Sequence, residues 1–165
     1  MKIIGFVGLK NSGKTFFVSK IIKGLTSKKI KVSSIKHAHK NFEIDKPKTD
    51  SFIHRESGSS QVIVSSPKRW AKITELKHLQ EKTLNELLDE LHSPEIVIVE
   101  GYKKENHPKI EIIKKPLDSN SFMFNNLENV IAIISDIKIA SFKKKQFKKD
   151  QINEIIEFII NYQNE

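Results

Sequence analysis

The octet Gly8-Leu9-Lys10-Asn11-Ser12-Gly13-Lys14-Thr15 constrains this chain more than any other stretch. It fits G-x-x-x-x-G-K-[ST], the loop whose backbone amides cradle phosphates. Its glycines admit backbone turns that side chains block, so successive N–H groups can face phosphate oxygens. Lys14 supplies a mobile positive charge for β- and γ-phosphates, and the Thr15 hydroxyl is placed to hold Mg²⁺. The flanks agree with the motif. Lys2–Val7 reads as a short buried strand, and a helix opening at Lys14 presents Phe16, Phe17, Val18, Ile21 and Ile22 as an apolar surface. Strand, loop and helix in that order aim the positive end of the helix at the anion. The expected fold is α/β: a three-layer P-loop NTPase fold with a mostly parallel central sheet flanked by helices.

At 165 residues the chain suits one domain, 1–165, with a sizeable core. Hydrophobic content of 38% with 30% charged residues describes a soluble globular protein. No apolar run approaches the roughly 18 residues of a membrane span, and no basic-then-apolar secretory signal opens the chain. The lack of cysteine excludes disulfides, thiolate metal sites and cysteine nucleophiles. A cytoplasmic location is the expectation. The net charge is +9, yet arginine occurs only at Arg55 and Arg69 among 29 basic residues. Base readout and bidentate phosphate clamping favour arginine. The scattered lysines therefore read as a solvated surface, and neither nucleic acid nor a membrane is expected as a partner.

Further along, Gly24–Lys29 reads as a turn and Lys31–Lys36 as a second strand. Residues 37–50 have no periodicity but carry His37, His39, Glu43, Asp45, Lys46 and Pro47, a usual kind of functional loop in an α/β protein. Asp50 reads as the cap of a short helix through Arg55. Gln61–Ser65 and Arg69–Thr74 read as strands, and Thr83 with Glu86 has capping-box spacing before Leu84, Leu87, Leu88 and Leu91. Ile96–Val99 is a continuous apolar run of the sort buried on both faces of a parallel sheet, and it ends on Glu100. A carboxylate at such a strand end sits where these sheets bind ligand, in position to hold a Mg²⁺-bound water or orient an attacking one. Pro108–Ile113 alternates as an edge or half-buried strand would, and His107 before it reads as a surface loop residue. Val130–Ile134 is another buried strand, ending at Ser135-Asp136; Ser141–Lys149 reads as a lysine-rich connector; Asp150 caps a last helix with Ile152, Ile155, Ile156, Ile159 and Ile160 on one face.

Three blocks together resemble the molybdopterin-guanine dinucleotide biosynthesis adapter family, MobB. They are the phosphate loop with Asn11-Ser12-Gly13-Lys14-Thr15; the stretch from Lys36-His37 through Glu43-Ile44-Asp45-Lys46-Pro47 to Asp50-Ser51 and His54-Arg55-Glu56; and Val99-Glu100-Gly101-Tyr102-Lys103 with His107-Pro108-Lys109-Ile110-Glu111. The resemblance implies a dimeric GTP-binding protein with at most slow GTP hydrolysis. It would assist the guanylyltransferase that joins GMP to molybdopterin, and so meet molybdopterin or its guanine dinucleotide. Gly8, Leu9, Lys10, Asn11, Ser12, Gly13, Lys14 and Thr15 would form the nucleotide site, with Thr15 and Glu100 at Mg²⁺. Asp45, Asp50 and Arg55 match charged positions beside the nucleotide or at the partner surface. The chain departs from the family at Lys48-Thr49, where a glycine and a basic residue are usual, and at Ser57-Gly58-Ser59, where an Ala-Gly-Ala type run is usual.

An Asn-Lys-x-Asp guanine-reading run is absent. Asp136 is the nearest candidate for the guanine carboxylate, with capping of the next turn as its other reading. Three functional readings follow. The first is an accessory nucleotide-binding protein, since a full phosphate cradle stands without a dedicated base or arginine finger. The second is a small-metabolite kinase, for which Lys103, Lys104 and Lys109 would have to serve in place of lid arginines. The third is a metal-insertion GTPase using His37-x-His39 with Glu43 or Asp45.

Overall fold

The computed structural model describes residues 1–38, 42–77, 80–114 and 121–163. In chain order the elements are β1 (Lys2–Val7), α1 (Lys14–Ser27), β2 (Val32–Lys36), α2 (Asp50–Glu56), β3 (Gln61–Ser66), β4 (Arg69–Thr74), α3 (Leu84–Asp89), β5 (Ile96–Glu100), β6 (Lys109–Ile112), β7 (Val130–Ile134), β8 (Lys145–Phe147) and α4 (Ile152–Asn161). They group into two compact units, Met1–His37 with Leu84–Glu165, and Ala38–Thr83.

In the larger unit six strands pair in parallel in the order β2-β5-β1-β6-β7-β8. Both faces of the sheet are covered, which is why β1, β5 and β7 are apolar almost throughout. On one face α1 and α4 bury Phe17, Ile21, Leu25, Ile155 and Ile159 against Ile4, Phe6, Ile98, Ile110 and Ile134. On the other, Leu84 and Leu88 of α3 meet Ile35, Val97 and Val99. Further along the same sheet, Phe122, Ile139 and Phe142 meet Ile113, Val130 and Ile133. The expected three-layer α/β architecture is the one observed. Because β1 has β5 on one side and β6 on the other, the loop after it opens where the strand order changes direction, the usual ligand position of such sheets.

Several elements depart from the sequence reading. Helix α1 continues through Gly24 to Ser27. Gly24 marks a close helix crossing rather than a turn: a Cβ there would stand 2.1 Å from Ile156 Cδ1. Strand β6 is central, lying between β1 and β7. Its alternation suggested a wet face, but Lys109 and Glu111 are buried and satisfied internally. The Lys109 ammonium donates to the carbonyls of His107 (2.9 Å) and Glu128 (3.1 Å). Glu111 accepts the backbone N–H groups of Met123 and Phe124, both at 2.8 Å, which anchors a 3-10 turn over Met123–Asn125. Burial lowers the Lys109 pKa and raises that of Glu111. The lysine-rich connector contains β8, an edge strand held by its pairing with Ala132–Ile134 and by the buried ring of Phe147. The capping residues shift by one, to Thr49 for α2 and Gln151 for α4, and α3 ends at Asp89. At the far end of α4 the Lys2 ammonium donates to the carbonyls of Ile159 (3.0 Å) and Ile160, a cation at the negative helix end.

The smaller unit holds α2 and an antiparallel β3–β4 hairpin that turns between Ser66 and Arg69. No described helix is long and apolar enough to cross a membrane.

His107 is buried with its ring against Gly5, and neither ring nitrogen has a hydrogen-bond partner among the described residues. It is a core residue, not the surface loop residue its neighbours suggested. Burial, followed by the nearby charge of Lys109, lowers its pKa from 6.5 to about 4. The folded state thus holds this proton more weakly than the unfolded chain. Stability is full above about pH 6.5 and declines as pH falls towards about 4, by on the order of 2 kcal/mol. The raised pKa of Glu111 acts with the opposite sign, so the histidine's share is a difference between variants. Urea unfolding at about pH 7 and about pH 4.5 should show a shallower acid loss for His107→Gln than for the wild type.

Candidate functional site

The loop between β1 and α1 is built for close approach of an anion. Gly13, at φ 91°, takes a left-handed conformation that side chains resist, and it caps α1 without offering a side-chain acceptor. No acidic residue stands in the first helical turn, so the opening amides of α1 have no competing side-chain anion there. A Cβ on Gly8 would fall 2.6 Å from both the Ile112 carbonyl and Ser12 Oγ, so only glycine fits. Ser12 is itself buried, and its hydroxyl has no hydrogen-bond partner among the described residues. Lys14 lies across the loop, donating to the carbonyls of Gly8 (3.0 Å) and Leu9 (2.8 Å). Its pKa is lowered first by burial, then by the charge of Lys103, while Glu100 opposes the shift. Leu9, Lys10 and Asn11 form the exposed arch, with Asn11 at φ 63°.

Glu100 closes the site from the β5 side. Its register partner on β1 is Phe6, so its carboxylate rises beside the loop. The Thr15 hydroxyl donates to it at 3.2 and 3.4 Å, and the Lys36 ammonium lies 3.7 Å away. A hydroxyl and a carboxylate at this distance are hard oxygen donors, the set that suits Mg²⁺ rather than a soft metal. The orphaned Ser12 hydroxyl, the glycine-only cradle and this donor pair together fit a Mg²⁺-bound nucleotide. Lys36 and the His37–Tyr102 ring pair beyond it were not singled out from the sequence as parts of this site. Lys36 ends β2, while His37 and Tyr102 come just past the ends of β2 and β5; their signal in the sequence was their place in the blocks that resemble the family.

Asp136 follows β7, on the other side of β1 from Glu100, and pairs with the Lys149 ammonium at 2.5 Å. Asp45 and Arg55 are paired with each other in the smaller unit at 3.4 Å. There Arg55 also meets Glu75 and Glu56, both at 3.3 Å, and lies over the Phe52 ring. Asp50 is exposed in the first turn of α2. His39 lies outside the described residues, and among those described no group of three His, Asp or Glu residues is arranged to hold a metal. Lys109, a candidate lid cation in the kinase reading, is committed to two backbone carbonyls in the core.

A family model described as molybdopterin guanine dinucleotide synthesis protein B matches residues 3–136. The Haemophilus influenzae molybdopterin-guanine dinucleotide biosynthesis adapter protein is 34% identical over 170 residues, covering 97% of this chain and 88% of that protein. The chain belongs to the MobB family. The Escherichia coli adapter protein is 31% identical over 139 residues, 83% of this chain and 79% of its own. The crystal structure of Bacillus subtilis MobB superposes with a TM-score of 0.76 at 20% identity, over the whole of both chains, a likeness of fold. The family match extends over the phosphate loop, Glu100 and Asp136.

If this loop holds a triphosphate, Lys14→Ala removes a charge-assisted contact worth roughly 1.5–3 kcal/mol. Calorimetric titration should then show nucleotide affinity about ten- to a hundredfold weaker. Glu100→Gln should weaken binding mainly when Mg²⁺ is present.

Proposed function

We propose that this MobB chain is a GTP-binding adapter of molybdopterin guanine dinucleotide biosynthesis. In this reading it acts in the cytoplasm as a homodimer, presents nucleotide to the guanylyltransferase that joins GMP to molybdopterin, and hydrolyses GTP only slowly by itself. The observation that carries the reading is a full phosphate cradle in a unit without arginine. Both arginines, Arg55 and Arg69, belong to the other unit, where Arg55 is held by Asp45 and Glu75. An arginine finger is worth about 10³–10⁵ in phosphoryl-transfer rate. A site served by lysines can hold a triphosphate firmly while doing little to stabilise the charge that develops during transfer.

The roles follow from the residues. Amides of Gly8–Thr15 and the head of α1 bind the phosphates, and Lys14 releases its loop carbonyls to meet them. Thr15 and Glu100 would hold Mg²⁺, which would supply positive charge to offset that of the phosphates. Asp136 is the carboxylate offered to the guanine N1 and N2 hydrogens, with Lys149 holding it in place. Membership of the MobB family speaks for the pathway; GTP over ATP rests on Asp136 and on the resemblance.

Parallel titrations of GTP and ATP with Mg²⁺, with and without the guanylyltransferase, test this reading. GTP should bind more tightly, and Asp136→Asn should narrow the gap by about tenfold. Turnover without the partner should stay below about 10⁻² per second. Hydrolysis at tens per second by the chain alone, or equal affinity for the two nucleotides, would sink the proposal.

A further inference from the structure

One cation beside the phosphate loop is only loosely held. Lys36 ends β2, and its register partner is Glu100, which ends β5; Glu100 in turn is paired with Phe6 of β1. Register neighbours in a parallel sheet turn their side chains to one face. Phe6 belongs to the cluster that α1 and α4 cover, so Lys36 and Glu100 stand on the α1 face of the sheet, where Thr15 is. These strand ends are fixed as well as aligned. The His37 N–H donates to the Glu100 carbonyl at 2.8 Å. Gly101 takes φ 105°, and a Cβ on it would stand 2.6 Å from His37 Cβ, so glycine alone permits this approach. The Lys36 side chain is thus carried by a backbone with little freedom to leave the site.

Its head is left available. Lys36 Nζ lies 3.7 Å from Glu100 Oε1, within ion-pair range but too far for a hydrogen bond, and the side chain is 63% exposed. It has no other partner among the described residues. Lys14, by contrast, donates to two loop carbonyls, and Lys149 is paired with Asp136. The Lys36 charge is still felt at Lys14, whose pKa is lowered first by burial, then by Lys103, and less by Lys36.

The direction of a bound nucleotide decides what this charge meets. Thr15 and Glu100 mark the β,γ end of a triphosphate in the loop, and Asp136 lies two strands beyond β1 on the opposite side. β2 stands two strands from β1 on the Glu100 side, past the terminal phosphate and away from the base. We propose that Lys36 reads the γ-phosphate: it contacts the terminal phosphate alone, and so sets the preference of this chain for a nucleoside triphosphate over the diphosphate. This assignment rests on the nucleotide-binding reading above. Lys14 meets β- and γ-phosphates, so part of its contribution is shared by both nucleotides. An ammonium that reaches only the third phosphate adds a charge-assisted contact to the triphosphate and nothing to the diphosphate.

The test is calorimetric titration of the full chain with GTP and with GDP, both with Mg²⁺, in wild type, Lys36→Met and Lys36→Arg. Wild type should bind GTP more tightly than GDP. Lys36→Met keeps the apolar stem and drops the charge. It should lose about ten- to a hundredfold in GTP affinity, while GDP affinity stays within about twofold of wild type. Lys36→Arg, which keeps a cation, should restore the preference. Retained GDP binding shows that Lys36→Met is folded. Equal losses for the two nucleotides overturn the assignment, because Lys36 would then serve only to hold Glu100. Unchanged GTP affinity in Lys36→Met, no restoration by Lys36→Arg, or equal affinity of the wild type for GTP and GDP overturns it too. A wild type that binds neither nucleotide would instead overturn the nucleotide reading, and this one with it.

Discussion

Parallel pairing of β1 with β5 on one side and β6 on the other brings three strand ends to one edge, and the candidate site depends on that pairing. It sets Glu100 beside Thr15 and presses the Ile112 carbonyl against Gly8. The phosphate loop is thus shaped as much by its neighbours as by its own residues. A hydroxyl–carboxylate contact across 85 positions of chain exists only because the sheet is in register. Covering both faces with α1, α4 and α3 keeps that register dry, where backbone pairing competes least with water.

Electrostatically the site is a cluster of ammonium groups around one carboxylate. Lys14, Lys36 and Lys103 all act near Glu100, and the lowered pKa of Lys14 registers their crowding as well as its burial. An anion entering there relieves repulsion the fold has already accumulated. Under the nucleotide-binding proposal, such an arrangement would hold a polyphosphate rather than transfer it, since ammonium groups on flexible stems do not impose the planar geometry of a guanidinium.

The parts legible in the sequence were those whose local pattern and tertiary setting agree. The phosphate loop, the apolar runs of β1, β5 and β7, and the isoleucine face of α4 all belong to that group. The misreadings share a cause: a local signal was answered by a distant partner. Gly24 looked like a turn because its reason for being glycine, Ile156, is more than a hundred residues away. Strand β6 looked half-wet because nothing near Glu111 announces that the amides of Met123 and Phe124 will satisfy it. β8 looked like a linker because its lysines outnumber the single ring, Phe147, that anchors it. In the site, Glu100 was readable from its strand, whereas the His37–Tyr102 stack depends on a strand pairing that periodicity cannot reveal.

Lys109 and Glu111 share one face of β6, and Ile110 and Ile112 share the other, packed beneath α1 and α4. Sliding this strand by one residue would turn an ammonium and a carboxylate into an isoleucine-lined layer with no carbonyl or amide to receive them. The two polar side chains therefore work as a key in a lock for strand alignment. During folding they reject the near-miss pairings that a run of interchangeable isoleucines would otherwise tolerate.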